Sequence, residues 1–254
     1  MLIPAQCDRI DVVLVSPRNP LNIGAAARAM ANFGFQRLSI VAPFAVNWME
    51  AKSAVGAPDL LREAKVYETV AEAVSHCTLV LGTGSLDRRR PAQEILNLPD
   101  AAARVRQILS PADDSGRNRI ALVFGSEKHG LTSDDLSWCH SLIVIETCDA
   151  QPSMNLGQAV AVCLYEISRN HSVDVEIRPI SQNNPDSGQL DRLAGLIEET
   201  MEAVNYSTRG MRSANGEAMR VLLRRLIPNE ADLRRMMGLF RRILWQLGKR
   251  GDKV

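Results

Sequence analysis

The stretch RIDVVLVSPRNPLNIGAAARAMANFGF, residues 9–35, sets a strand directly ahead of a helix. Its first part is apolar at nearly every position, the pattern of a strand buried on both faces of a parallel sheet. Its second part has helical period from Ile23 to Phe33, with Asn22 after Pro20 as the expected N-cap, Gly24 allowing close backbone approach and Gly34 as a stop. Within this helix Arg28 has Gly24, Ala25, Ala31 and Asn32 at helical spacing. Nothing large can cover the guanidinium. A helix that follows the first strand begins at the carboxyl edge of the sheet, where open α/β folds bind ligands.

The same pattern continues outward. RLSIVAP (37–43), TLVLGT (78–83), IALVFG (120–125) and SLIVIE (141–146) read as further buried strands, and AKVYE (64–68) as a shorter one. Helical patterns fall at Glu68–His76, Asp100–Leu109 and after Pro152. Alternating β and α elements predict a doubly wound α/β domain over residues 1–170. Residues 171–188, rich in Ser, Asn, Asp and Pro, read as a linker. Residues 189–254 read as a small all-α domain with three apolar stripes: Leu190, Leu193, Ile197, Met201 and Val204; then Met219, Leu222, Leu223 and Leu226; then Leu233, Met236, Met237, Phe240, Leu244 and Leu247. Asn229 is the expected N-cap of the last helix.

A chain of 254 residues with 46% hydrophobic residues and a formal charge of +1 is neither fibrous nor disordered in composition. No apolar run approaches the roughly 20 residues of a membrane helix, and the beginning lacks the pattern of a secretory signal, so a cytoplasmic location is expected. The five cysteines and four histidines are dispersed without metal-ligand spacing, and no metal is expected. Charge is uneven. From Arg209 to Arg250 eleven Lys/Arg stand against three acids, a local net of +8.

Three further turns follow strands. Gly82-Thr83-Gly84-Ser85 lacks the third glycine of a dinucleotide loop and runs into charge and proline. Gly125-x-Glu127-x-x-Gly130 is a tight turn, followed by Thr132 and Asp135 as a capping pair. Pro152-Ser153-x-Asn155 opens a long apolar helix whose first residues are small. Each is a common strand-to-helix turn when taken alone.

Taken in order, Asn22-x-Gly24-x-x-x-Arg28, Gly125-x-Glu127-x-x-Gly130 and Pro152-Ser153-x-Asn155-Leu156 resemble the three motifs of the SPOUT RNA 2′-O-methyltransferases of the TrmH class. VLGTGSLDRRRP (80–91) and the basic helical tail resemble the TrmJ-type tRNA branch of that family. The resemblance implies a SPOUT fold with a trefoil knot near the end of the α/β domain, and a homodimer with a composite active site. It implies S-adenosylmethionine as methyl donor, held by Thr83, Gly84, Ser85, Gly125, Ile145, Pro152, Ser153 and Met154, largely through backbone. The family usually carries Ser where this chain has Gly84. The implied target is the ribose 2′-hydroxyl of a pyrimidine, C or U, at tRNA position 32.

Methyl transfer to a 2′-hydroxyl is an in-line displacement that develops alkoxide character on the attacking oxygen. The fork of Arg28 suits bridging a phosphate and that oxygen, and because a guanidinium holds its proton firmly, charge stabilisation is preferred to the alternative role of general base. Glu127 is expected to orient Arg28 or a neighbouring amide, and Asn22, Ser153 and Asn155 to order the loops. Arg220, Arg224, Arg225, Arg234, Arg235, Arg241 and Arg242 are expected to contact the tRNA backbone. Ribosomal RNA as substrate, a non-catalytic RNA-binding protein and a nicotinamide enzyme built on LVLGTGS are the competing readings; the last leaves Arg28 and the Ser153–Asn155 turn without a task.

Overall fold

The computed structural model describes residues 2–44, 48, 57–84, 91–109, 116–148, 150–169, 184–206 and 210–251. In chain order the elements are α1 (Pro4–Cys7), β1 (Ile10–Val15), α2 (Pro20–Phe33), β2 (Arg37–Val41), α3 (Pro58–Arg62), β3 (Lys65–Tyr67), α4 (Val70–Val74), β4 (Leu79–Thr83), β5 (Glu94–Asn97), α5 (Leu98–Ile108), β6 (Ile120–Phe124), α6 (Ser133–Ser137), β7 (Ser141–Val144), α7 (Leu156–Ser168), α8 (Ser187–Ala203), α9 (Arg212–Leu226) and α10 (Glu230–Gly251). The seven strands form one parallel sheet in the order β3-β2-β1-β6-β4-β7-β5.

The unbroken apolar runs are explained by two cores. Ile10, Val12 and Leu14 of β1 pack with α2, α5 and α7 on one face, whereas Val13 and Val15 pack with α4 and the α6 region on the other. Each residue of β1, β4 and β6 has a buried destination, so no polar alternation is tolerated there. On the first face α2 lies close against α7: a Cβ at Gly157 would stand 2.6 Å from Ala25 Cβ.

Every strand expected from the sequence is present. Edge strand β5 is additional; at four residues, with only Leu96 buried, it carries too little pattern to be read. Asn97 caps α5 and Pro99 sits in its first turn, so that helix starts ahead of Asp100. Likewise α2 starts at Pro20, and its cap is Asn19, whose side chain accepts from the Leu21 amide at 2.9 Å. The expected cap, Asn22, is therefore released for another use. Gly34 ends α2 at φ 79°, and Thr132 with Asp135 forms the reciprocal box that opens α6.

Most of the expected linker lies outside the described residues. Its last two residues belong to α8, whose start is boxed by Asp186 and Gln189. Helices α8, α9 and α10 share a third core built on Leu190, Leu193, Ile197, Leu223 and Leu233. Asn229 caps the last turn-and-helix as expected, accepting from the Asp232 amide at 2.9 Å. The middle stripe is narrower than its sequence suggests: Leu222 and Leu226 are exposed and only Leu223 is buried.

This helical unit is clamped to the sheet unit by arginine. Arg224 is fully buried, donating to Trp138 O at 3.1 Å, Ser187 Oγ at 2.7 Å and Arg220 O at 3.3 Å. Arg220 pairs with Asp134 at 2.5 Å and donates to Ser137 Oγ at 2.9 Å. Both guanidiniums lie on the Trp138 ring, 4.7 and 5.1 Å from its centroid. This corrects the expected RNA contact for Arg224, which has no surface to offer, and Arg220 is engaged in the same clamp. Burial pulls the Arg224 pKa down to about 10, which leaves it charged at neutral pH.

Candidate active site

The site lies at the carboxyl edge of the sheet, where the loops after β1, β4, β6 and β7 converge. Glu127, in the turn after β6, accepts from the backbone amides of Arg18 at 2.9 Å and Asn19 at 3.0 Å and from Asn22 Nδ2 at 2.9 Å. A carboxylate at a helix N-terminus answers the helix dipole and the amides left without partners there. Asn22 Oδ1 in turn accepts from Asn155 Nδ2 at 2.9 Å. Asn155 Oδ1 caps α7, accepting from the amides of Gly157 at 3.0 Å and Gln158 at 3.3 Å. One hydrogen-bonded line therefore joins residues from all three motifs, with each amide oriented by its neighbours.

Glu127 is held as the anion. Burial pushes its carboxyl up, but the bonds from Asn22 and from the amides of Arg18, Glu127 itself and Asn19 outweigh this, and its pKa lies below the ordinary glutamate value. Its contribution is full above about 4.5 and is lost as pH falls through the lower folded value. Glu127→Gln offers an amide to donors, so methyl transfer is expected to fall roughly 10-fold or more, since hydrogen bonds to charged groups contribute about 1.5–3 kcal/mol each. The acid limb of wild-type activity is expected to show no titration of this group between pH 5 and 8; an enzyme assay over that range checks both.

Beside Glu127 opens a cavity of about 590 Å³ lined by Thr83, Gly84, Gly125, Ile145, Pro152, Ser153 and Met154, the expected cofactor residues. Ser85 lies outside the described residues. Leu156, the last residue of the third motif, and Leu131, Leu136 and Leu142, which the motif reading did not single out, supply apolar walls. Gly125 leaves no room for a side chain, since a Cβ would fall 2.1 Å from Gly130 C, whereas nothing lies within 4 Å of one at Gly84. Thr83 Oγ1 is committed to Val123 O at 3.1 Å, which leaves its backbone to face a ligand. Thr147 Oγ1 donates to Pro152 O at 3.3 Å and ties together the loop that carries Ser153.

Arg28 is exposed on α2 and takes no part in the hydrogen-bonded line or the cavity wall of its own chain. It stands six residues beyond Asn22, about 9 Å along the helix axis. Glu127 therefore orients amides and not Arg28, one of the two tasks the sequence allowed. Ser153 is exposed at the cavity mouth.

Among the described residues, Asp11, His76 and Cys77 bring ligand atoms within 4.8 Å of one another at the opposite end of β1. Asp11 is already held by Arg37 at 2.6 Å and His76 at 2.9 Å, with Arg119 at 4.0 Å. Two guanidiniums beside the carboxylate make this a buried ion network unsuited to a cation. No helix among the described residues is long and apolar enough to cross a membrane.

With this sheet and cavity in place, the chain belongs to the SpoU rRNA methylase family, whose profile matches residues 9–165. Within that family it is similar to TrmJ enzymes. It is 40% identical over 161 residues to the tRNA (cytidine/uridine/adenosine-2′-O-)-methyltransferase TrmJ of Pseudomonas aeruginosa strain UCBPP-PA14, a match covering 63% of this chain and 60% of that one. It is 29% identical over 254 residues to the tRNA (cytidine/uridine-2′-O-)-methyltransferase TrmJ of Escherichia coli O6:K15:H31, covering 96% and 98%. The crystal structure of TrmJ from Z. mobilis ZM4 superposes with a TM-score of 0.79 at 27% identity, covering 92% of this chain and 98% of that one. At 92% of the chain, that superposition covers more than the α/β domain alone.

Proposed function

We propose that this chain transfers a methyl group from S-adenosylmethionine to the ribose 2′-hydroxyl of a pyrimidine in tRNA, at position 32 of the anticodon loop. The observation that carries the reading is the single hydrogen-bonded line Glu127–Asn22–Asn155 beside a cavity of about 590 Å³. That volume falls within the roughly 300–1,000 Å³ of small-molecule and cofactor pockets. Apolar walls from Leu131, Leu136, Leu142 and Leu156, with open space at the Gly84 backbone, suit an adenosyl group. When bound, S-adenosylmethionine supplies an electrophilic methyl on sulfur.

The remaining work belongs to the protein. The cavity wall holds the methyl donor, Glu127 fixes the start of α2, and Arg28 stabilises the charge that develops on the attacking oxygen while gripping a neighbouring phosphate, the hydroxyl proton passing to solvent at the exposed mouth beside Ser153. The absence of Arg28 from its own cavity wall supports a composite site in a homodimer, with the guanidinium of one protomer serving the cavity of its partner. A trefoil knot threading the loops after β6 and β7 belongs to the same reading. So does a division into a methyltransferase domain (1–170), a linker (171–188) and a tRNA-binding domain (189–254), which the separate core of α8–α10 supports. The tRNA surface is assigned to Arg225, Arg234, Arg235, Arg241 and Arg242, all exposed.

The test is transfer of labelled methyl from S-adenosylmethionine to bulk tRNA, with the modified nucleoside identified by mass. A 2′-O-methylpyrimidine is the expected product. Incorporation into ribosomal RNA alone would overturn the tRNA assignment, and cofactor binding without transfer to any RNA would make the chain a binding protein.

A further inference from the structure

The sequence carries two short turns of the same form. Val15-Ser16-Pro17-Arg18 follows β1, and Val41-Ala42-Pro43-Phe44 follows β2. The two strands are parallel neighbours with Val15 opposite Val41, so the register carried forward sets Ser16 against Ala42 and Arg18 against Phe44. The contacts follow that register: the Ser16 amide donates to Val41 O at 2.8 Å and the Phe44 amide to Pro17 O at 3.2 Å. Ser16 and Ala42 both adopt left-handed backbone, at φ 47° and 43°. Neither is glycine and each precedes proline, so both turns hold the chain in a costly conformation. Strain of this kind persists where the surrounding structure imposes it, and it gathers at functional sites.

What the two turns present is an aromatic ring and a cation. Phe44 is 70% exposed, and the Arg18 guanidinium lies 4.5 Å from its ring centroid. The Arg18 amide is one of the donors to Glu127. Since β2, β1 and β6 are adjacent and parallel, Phe44, Arg18 and the Glu127–Lys128 turn lie side by side along one edge of the site. A large apolar ring left in water, fixed beside a guanidinium on the same sheet edge as an RNA-modifying cavity, matches the platforms on which unpaired bases stack.

We propose that Phe44, steadied by Arg18, is a stacking platform for an unpaired nucleobase of the RNA substrate. This inference rests on the methyltransferase reading above. Phe44 positions the RNA and takes no part in the chemistry. The experiment is steady-state methyl transfer to tRNA by the full chain and its Phe44→Ala, Phe44→Leu and Phe44→Trp variants, with KM for tRNA and for S-adenosylmethionine, kcat and Tm determined for each. Stacking predicts a tRNA KM raised roughly tenfold or more in the alanine and leucine variants and near wild type in the tryptophan variant, with cofactor KM and Tm unmoved. An unchanged tRNA KM in Phe44→Ala would overturn the platform, as would a leucine variant equal to wild type, which would make Phe44 only an apolar cover, or a fall in Tm that accounts for the lost activity. Failure of the wild-type chain to methylate any RNA would strike the underlying reading instead.

Discussion

Arg28→Ala is expected to lower methyl transfer to tRNA by roughly 100- to 1,000-fold, the range seen when one donor aimed at a developing oxyanion is removed. Stability should stay within about 0.5 kcal/mol of wild type, because Arg28 is exposed and surface substitutions away from packing cost little. Cofactor binding should also be unchanged, since the residue is absent from its own cavity wall and the role proposed for it at the partner's cavity is toward the RNA. Arg28→Lys separates charge from geometry. A lysine keeps the positive charge but has no planar fork, so activity should lie between the two. Near-complete activity in the lysine variant would refute a bidentate role, and a cofactor affinity that falls with Arg28→Ala would put the guanidinium in the binding pocket.

Arg224→Met is expected to act in the opposite way, through stability. The side chain is wholly buried, and its loss leaves Trp138 O and Ser187 Oγ without their donor. Each abandoned buried acceptor costs about 1–3 kcal/mol, offset in part because methionine no longer carries a desolvated charge. A net loss of about 2–4 kcal/mol corresponds to a Tm lower by roughly 5–15 °C in a chain of this size. Calorimetry checks this. An unchanged Tm with weakened tRNA binding would restore the surface role that the sequence suggested and would contradict the burial.

The contrast between these arginines shows what the sequence makes legible. Buried strands announce themselves because both faces must be apolar, and β1, β2, β4, β6 and β7 were all readable on that basis. Gly125 is readable because the close approach of the Gly130 backbone leaves no room for a side chain there. Arg224 was not, since an arginine on a helix has the same local signature whether it meets solvent or the face of Trp138 from a segment 86 residues away. Asn22 was misassigned for a similar reason. Two asparagines flank Pro20, and only the tertiary position of Glu127 decides that Asn19 caps the helix while Asn22 bridges to Asn155. Phe44 gave no signal because a lone aromatic after a strand is ordinarily core.

The line Glu127–Asn22–Asn155 spans sequence separations of 105 and 133 residues. No local fragment contains either bond, so Asn22 acquires its full set of partners only after chain synthesis has passed Asn155. Pairings this remote are paid for in loop entropy before they stabilise anything, and such topologies fold slowly. A nascent chain thus holds a nearly complete sheet, and an exposed apolar cavity wall, for a period in which it cannot yet act on RNA. A truncation that removes α7 is expected to leave a sheet prone to association instead of a weakened catalyst.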